Sequence, residues 1–221
     1  LEVLPNQNAT AVILAGNRSG ITELTVDYGP GTHLTVHPND PTIVPYYQGK
    51  VTVAIRANNC IVNRVEVLDS SLDSIDASDG TKGTWIHNCV VTNADRGGIV
   101  CAGSQANPAS DAYIHNNMVT GTYASAIMAN GAIHTSVISD NIVGNIGGSG
   151  DGIAAYSYLN NQLTVANNTI TNTGNNGMHI GGDHITIIGN NINDAAEHGI
   201  AYHNANTTTI INCIHATIVG N

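Results

Sequence analysis

The chain has 221 residues, of which 42% are hydrophobic and only 10% charged, with one Trp and no Phe. Its interior must therefore be narrow and filled by Ile, Val, Leu and Ala, while solubility rests on Asn, Thr, Ser and Gly. A net charge of −10 excludes a general binder of nucleic acid or anionic membrane, and no apolar run approaches the ~20 residues of a membrane span.

The cations are unevenly placed: none of the six Lys and Arg lies beyond Arg96, and all but Arg18 fall between Lys50 and Arg96. The chain starts with Leu and carries no signal peptide, so it reads as processed or as part of something longer. Cys60, Cys89, Cys101 and Cys213 match no zinc spacing. Buried free thiols are the expectation for them.

In chain order, a first short β-branched run spans Ile21-Thr-Glu-Leu-Thr-Val26. The stretch 27–50 that follows is too long for a turn and holds His33, His37, Asp40, Tyr46, Tyr47, Lys50 and several prolines; its Pro and Tyr content predicts an ordered lid. Thr52-Val-Ala-Ile55 then fits as a strand.

From there similar hexapeptides return about every 25 residues: Ile61-Val-Asn-Arg-Val-Glu66, Ile86-His-Asn-Cys-Val-Val91, Ile114-His-Asn-Asn-Met-Val119, Ile138-Ser-Asp-Asn-Ile-Val143, Val165-Ala-Asn-Asn-Thr-Ile170, Ile187-Ile-Gly-Asn-Asn-Ile192 and Ile210-Ile-Asn-Cys-Ile-His215. Between them a second marker recurs: Asp73-Ser-Ile-Asp76, Gly97-Gly-Ile-Val100, Ser125-Ala-Ile-Met128, Asp151-Gly-Ile-Ala154, Asn176-Gly-Met-His179 and His198-Gly-Ile-Ala201. Each repeat thus predicts one strand at the marker, one entering the hexapeptide and one leaving it, with an Asn turn between the last two. Asn tolerates the left-handed region, and its amide bonds to local backbone; stacked amides form a ladder. Units that cannot bury a face alone must stack, so the expectation is an all-β solenoid of about eight coils in a single domain over 1–221.

This pattern resembles the repeats of the right-handed parallel β-helix, pectate-lyase-like superfamily, over roughly residues 11–219. The resemblance implies a right-handed single-stranded parallel β-helix with an asparagine-rich turn column. It also implies polysaccharide chemistry, since lyases, glycoside hydrolases, uronan epimerases and phage tailspikes share the fold, and it places a glycan groove along the marker-strand face. The Asp-Pro-His-Glu signature of epimerases and the Gly-His-Gly and Arg-Ile-Lys motifs of polygalacturonases are missing. The last coil ends at Asn221 without a cap, so more chain or a partner is expected there.

Strand alternation points Arg56, Asp76, Val100, Met128, Ala154, His179 and Ala201 outward in one column. The first candidate site is Arg56 and Asp76 on adjacent coils, with Asp69, Asp73, Asp79, Lys82, Asp95 and Arg96 around them and Tyr46, Tyr47 and Lys50 brought over from 27–50. A β-elimination lyase needs a cation for the uronate carboxylate and a base for the proton α to it; Arg or Lys with Tyr supplies both. A hydrolase needs two carboxylates, which Asp73 or Asp69 with Asp76 would provide. The plainer account makes Arg56–Asp76 a surface ion pair and the other acids turn formers.

The second candidate cluster is Asp151, Tyr156, His179, Asp183, His184, Glu197, His198, Tyr202 and His203, offering His and Tyr acid–base groups or, weakly, a metal site. His87 and His115 share a column on another edge, where stacking within the solenoid explains them. No cofactor is expected; a divalent cation such as calcium is left open without a motif to hold it. The leading expectation is a secreted or virion-surface protein that binds and depolymerises an acidic polysaccharide. In it Arg56, Asp76, Asp73, Tyr46, Tyr47 and Lys50 are catalytic, and Lys82, Arg96, Asp69, Asp95, His179 and His198 bind substrate. The alternatives are a non-catalytic tailspike or adhesin segment, assembled as a homotrimer, and a glycoside hydrolase using paired aspartates.

Overall fold

The computed structural model describes residues 12–27, 51–78, 80–156, 159–202 and 216–220. Every strand pairing in it is parallel and joins residues of successive coils, so the chain winds as a solenoid. The marker strands make an eight-stranded sheet in the order Val12–Leu14, Val53–Ile55, Ile75–Ala77, Ile99–Gly103, Ile127–Gly131, Ile153–Ala155, Met178–Ile180, Ile200–Tyr202. The expected eight coils correspond to these rungs; six turns, from Val53 to Ala195, lie almost unbroken within the described residues.

The hexapeptides make a second, 14-stranded sheet bent into two arms at the Asn turns. Its long strand Ile61–Ser70 runs through the bend, pairing with Trp85–His87 by one half and with Val90–Ala94 by the other. The expected three strands per coil are therefore present.

Three apolar columns fill the interior. Val53, Ile75, Ile99, Ile127, Ile153 and Met178 stack from the first sheet, Val62, Ile86, Ile114, Ile138, Val165 and Ile187 from one arm of the second, and Val67, Val91, Val119, Val143 and Ile170 from the other, all buried. Beside the first column runs a row of small residues, because the arms press close there: a Cβ on Gly152 would lie 2.4 Å from Ile170 Cγ2.

The asparagine ladder is formed by Asn117, Asn141, Asn168 and Asn190, all buried. The Asn141 side-chain amide donates to Asn168 Oδ1 at 2.9 Å, and its backbone N–H donates to the same oxygen at 3.0 Å. Asn117 repeats this on Asn141, and Asn168 on Asn190. The residue before each ladder Asn holds the left-handed conformation, with φ of 54° at Asn116, 57° at Asp140 and 54° at Asn167.

Three register expectations are corrected. Arg64 (φ 53°) occupies the left-handed position, so Val65 takes the ladder column, and the repeat aligns Val62, not Ile61, with Ile86. On the marker sheet Val53, not Ile55, pairs with Ile75. Finally, Ile218 pairs with Ile187, so Ile218-Val-Gly-Asn221 repeats Ile187-Ile-Gly-Asn190. The window Ile210–His215 lies outside the described residues. In the first case the left-handed Arg64 stands where later coils carry Asn or Asp, which shifts the apparent period by one.

Candidate functional site

The outer face of the first sheet carries both candidate clusters. Its outward column is Ala54, Asp76, Val100, Met128, Ala154, His179 and Ala201. Arg56 stands two residues past Ala54, just beyond the strand Val53–Ile55, so it does not share the Asp76 column as expected. It reaches across instead: Arg56 Nη2 lies 2.5 Å from Asp76 Oδ2, and Nη1 donates to the Asp76 carbonyl at 3.1 Å and to its neighbour Ile55 at 3.0 Å. The Ser78 hydroxyl donates to the other Asp76 oxygen. Asp76 is nearly covered, with 6% of its side chain exposed, whereas Arg56 keeps 33%. The carboxylate thus anchors the guanidinium, and the guanidinium is the group facing solvent.

Beside Arg56 opens a polar depression of about 350 Å³, lined among others by Asn17, Asn58, Lys82 and Asn107. Lys82 is exposed and makes no ion pair among the described residues. A second depression of about 330 Å³ continues past Ser78, Ala102 and Ser104, sharing Asn107. The asparagines were not singled out in the sequence, because they resemble the turn asparagines found throughout it.

Asp73 belongs to a structural column instead. Its carboxylate is fully buried; it accepts the Gly97 N–H at 3.0 Å and Arg96 Nε at 2.8 Å, and Arg96 Nη2 pairs with its second oxygen. Burial pushes its pKa up, opposed by Arg96 and the Gly97 N–H. The same position in later coils is Ser125, which accepts the Asp151 N–H, and Asp151, which accepts the Asn176 N–H at 3.0 Å. Asp69 is left-handed at φ 55° within the strand Ile61–Ser70 and accepts from the Asn93 amide at 3.0 Å. Asp95 lies in the turn leading to Arg96, its N–H bonded to the Ser70 carbonyl. Tyr46, Tyr47, Lys50 and Asp79 lie outside the described residues.

At the other end of the same face, His179 Nδ1 lies 3.5 Å from Asp151 Oδ2, and the Tyr156 ring stacks on the imidazole at 4.4 Å. Asp151 is fixed from below by the Asn175 and Asn176 side-chain amides, each at 2.9 Å. His198 joins through Asn176, its Nδ1 donating at 3.0 Å. Asp183 and His184 pair with each other at 2.9 Å, apart from this group. No set of three or more His, Cys, Asp or Glu able to hold a metal occurs among the described residues.

His179 is four rungs from Asp76, roughly 19 Å at about 4.8 Å per rung. Both clusters can contact one extended ligand but cannot share a bond-breaking step, because paired catalytic groups stand about 5–9.5 Å apart. Val100, Met128 and Ala154 floor the strip between them.

Stacked parallel coils and an internal asparagine ladder define a parallel β-solenoid. The family described as right-handed β-helix region matches residues 11–182 and, in a second alignment, 75–216; the chain belongs to this family. No curated protein matches the chain significantly. Among solved structures it is similar to the catalytic unit of a thermostable GH87 α-1,3-glucanase from Streptomyces thermodiastaticus strain HF3-3, with TM-score 0.56 and 20% identity. That likeness covers 95% of this chain and 39% of the glucanase chain, and it is a likeness of fold.

Proposed function

We propose that the chain binds an acidic polysaccharide along the outer face of the first sheet and cleaves it by β-elimination at the Arg56 end. The observation that carries this reading is Arg56, fixed by a covered carboxylate, beside the exposed Lys82 in a polar depression. Such a pair suits a uronate carboxylate: preorganised cations stabilise the charge that develops when the neighbouring C–H is deprotonated. The base takes the proton α to the carboxylate, its electron pair becomes the new double bond, and the bond to the glycosidic oxygen breaks as that oxygen is protonated. Asp76 is a positioning residue in this scheme. Proton transfer is assigned to Tyr46 or Tyr47, and Lys50 to the cations that engage the carboxylate. The His179 end is less suited to elimination, because no Lys or Arg follows Arg96 to neutralise a carboxylate. Its Tyr156–His179 stack is assigned to holding sugar further along the chain.

The GH87 enzyme, named for a glucan, supports a carbohydrate ligand, and secretion or display on a virion is the setting proposed with it. Turnover of an acidic polysaccharide by Arg56→Ala and Lys82→Ala tests the reading. Each variant is expected to lose about 100-fold or more in kcat. Undiminished turnover in a folded Arg56→Ala protein would overturn it.

One observation favours a second reading, glycan binding without cleavage. Asp73 and Asp76, the pair a hydrolase would use, are each committed to an arginine. A stable trimer in sedimentation together with unaltered substrate would move the assignment to a binding segment of tailspike or adhesin type.

A further inference from the structure

The single Trp of the chain is not in the core. Trp85 is 44% exposed and Tyr113, its partner on the next coil, 36%; they stand side by side on the outer face of the second sheet. Their ring centroids are 5.0 Å apart with a 40° tilt. Two residues along, His87 and His115 stack in parallel, with centroids 5.0 Å apart and planes 2° from coincidence, and Trp85 meets each imidazole edge-on. Inward neighbours Ile86 and Ile114 hold this terrace on the core.

The fold does not require aromatic residues here. The same column continues through Val137, Thr164 and Thr186 with unchanged pairing. Nor is the terrace part of the groove, which lies on the other sheet.

Its hydrogen-bonding capacity is set. The Asn88 and Asn116 amides donate to Nδ1 of His87 and His115 at 2.8 and 3.2 Å, which leaves the proton of each neutral ring on Nε2. Neither Nε2–H has a partner among the described residues. Burial, the adjacent His115 and Arg64 lower the His87 pKa and favour the neutral ring. The flanking side chains in register, Ile61, Asn63, Val137 and Ser139, carry no charge, and Arg64, which acts on His87, is paired with Glu23 at 3.0 Å.

We infer that Trp85, Tyr113, His87 and His115 form a second carbohydrate-binding surface, selective for a neutral pyranose stretch lying along the rod axis. The apolar C–H faces of successive sugars stack on the indole and phenol rings, which offer large rigid area and polar rims. Sugar hydroxyls accept from the two Nε2–H donors, repeated at the rung spacing of about 4.8 Å, close to the length of one sugar unit in an extended glycan. The uncharged positions flanking the terrace favour a neutral ligand over an anionic one.

Trp85 is the only tryptophan, so its fluorescence reports on the terrace alone. The whole protein is titrated with neutral gluco-hexasaccharides of β-1,4, β-1,3 and α-1,4 linkage. At least one is expected to produce a saturable emission change. Tyr113→Thr, which copies Thr164 and Thr186, is expected to weaken that binding about tenfold while turnover of acidic polysaccharide stays the same. An emission unresponsive to the whole panel, or a response equally strong in Tyr113→Thr, overturns the inference. So does an emission shift on raising protein concentration without sugar, which would place a second copy of the chain on the terrace. Loss of acidic-polysaccharide cleavage with the emission response intact would defeat the groove reading only.

Discussion

Arg56 and Asp76 stand two residues out of register on neighbouring rungs, yet the guanidinium folds back to within 2.5 Å of the carboxylate. Leaning this way presents the exposed edge of Arg56 to the depression that holds Lys82. Asp76→Asn keeps an acceptor but removes the charge that orients Arg56. Weaker binding of acidic oligosaccharide, by about tenfold, is expected, because a charge-assisted contact is worth about 1.5–3 kcal/mol. Calorimetric titration reads this directly, while affinity for neutral sugars at the terrace should not change.

The ladder gives a stability prediction. Asn141→Ala leaves the Asn117 N–H and the Ile114 carbonyl without their partner inside the rod. Buried polar groups abandoned in this way cost about 1–3 kcal/mol each. A loss of about 2–4 kcal/mol in urea unfolding is expected, against less than about 1 kcal/mol for Asn193→Ala, whose side chain is exposed.

How much of this was legible beforehand follows from how each feature is encoded. The Ile and Val columns and the ladder asparagines recur once per coil, so period alone exposes them. Arg64 defeats that reading: the left-handed position held by Asn88, Asn116, Asp140 and Asn167 in later coils is here an Arg, and the first coil slides by one. Asp73 looked catalytic because an aspartate beside Asp76 and Arg96 reads alike for a turn ladder or an active site. Only the Gly97 N–H bond, between residues 24 apart in sequence, separates the two. Trp85 and Tyr113 precede the same Ile-His-Asn sequence in successive repeats, one residue before the hexapeptide begins.

Thiol reactivity tests the packing. Burial pushes the Cys89 thiol up to about 11 and Cys101 to about 12, and raises Cys60 as well. All three are free and buried. They are expected to resist alkylation at neutral pH until the protein unfolds, because the thiolate is the reactive form. Modification of the native protein at Cys101 would contradict the core described above.

Burial of His87, with the stacked His115 and Arg64 adding to it, makes stability pH-dependent with a definite sign. The folded-state pKa of His87 is below its ordinary 6.5, so the unfolded chain takes up the proton first. The contribution of this group is complete above 6.5 and falls as pH drops through the lowered folded-state value. The urea midpoint of the wild type should therefore decline more steeply than that of His87→Asn as pH falls from 6.5 through the lowered folded-state value.

The most direct test of the central claim is mass spectrometry of the products formed from acidic polysaccharides, with Arg56→Ala and Lys82→Ala in parallel. Elimination predicts fragments lacking the elements of water at the new end, formed by the wild type and lost in both variants. Fragments that have gained water, or products formed equally by Arg56→Ala, would contradict it.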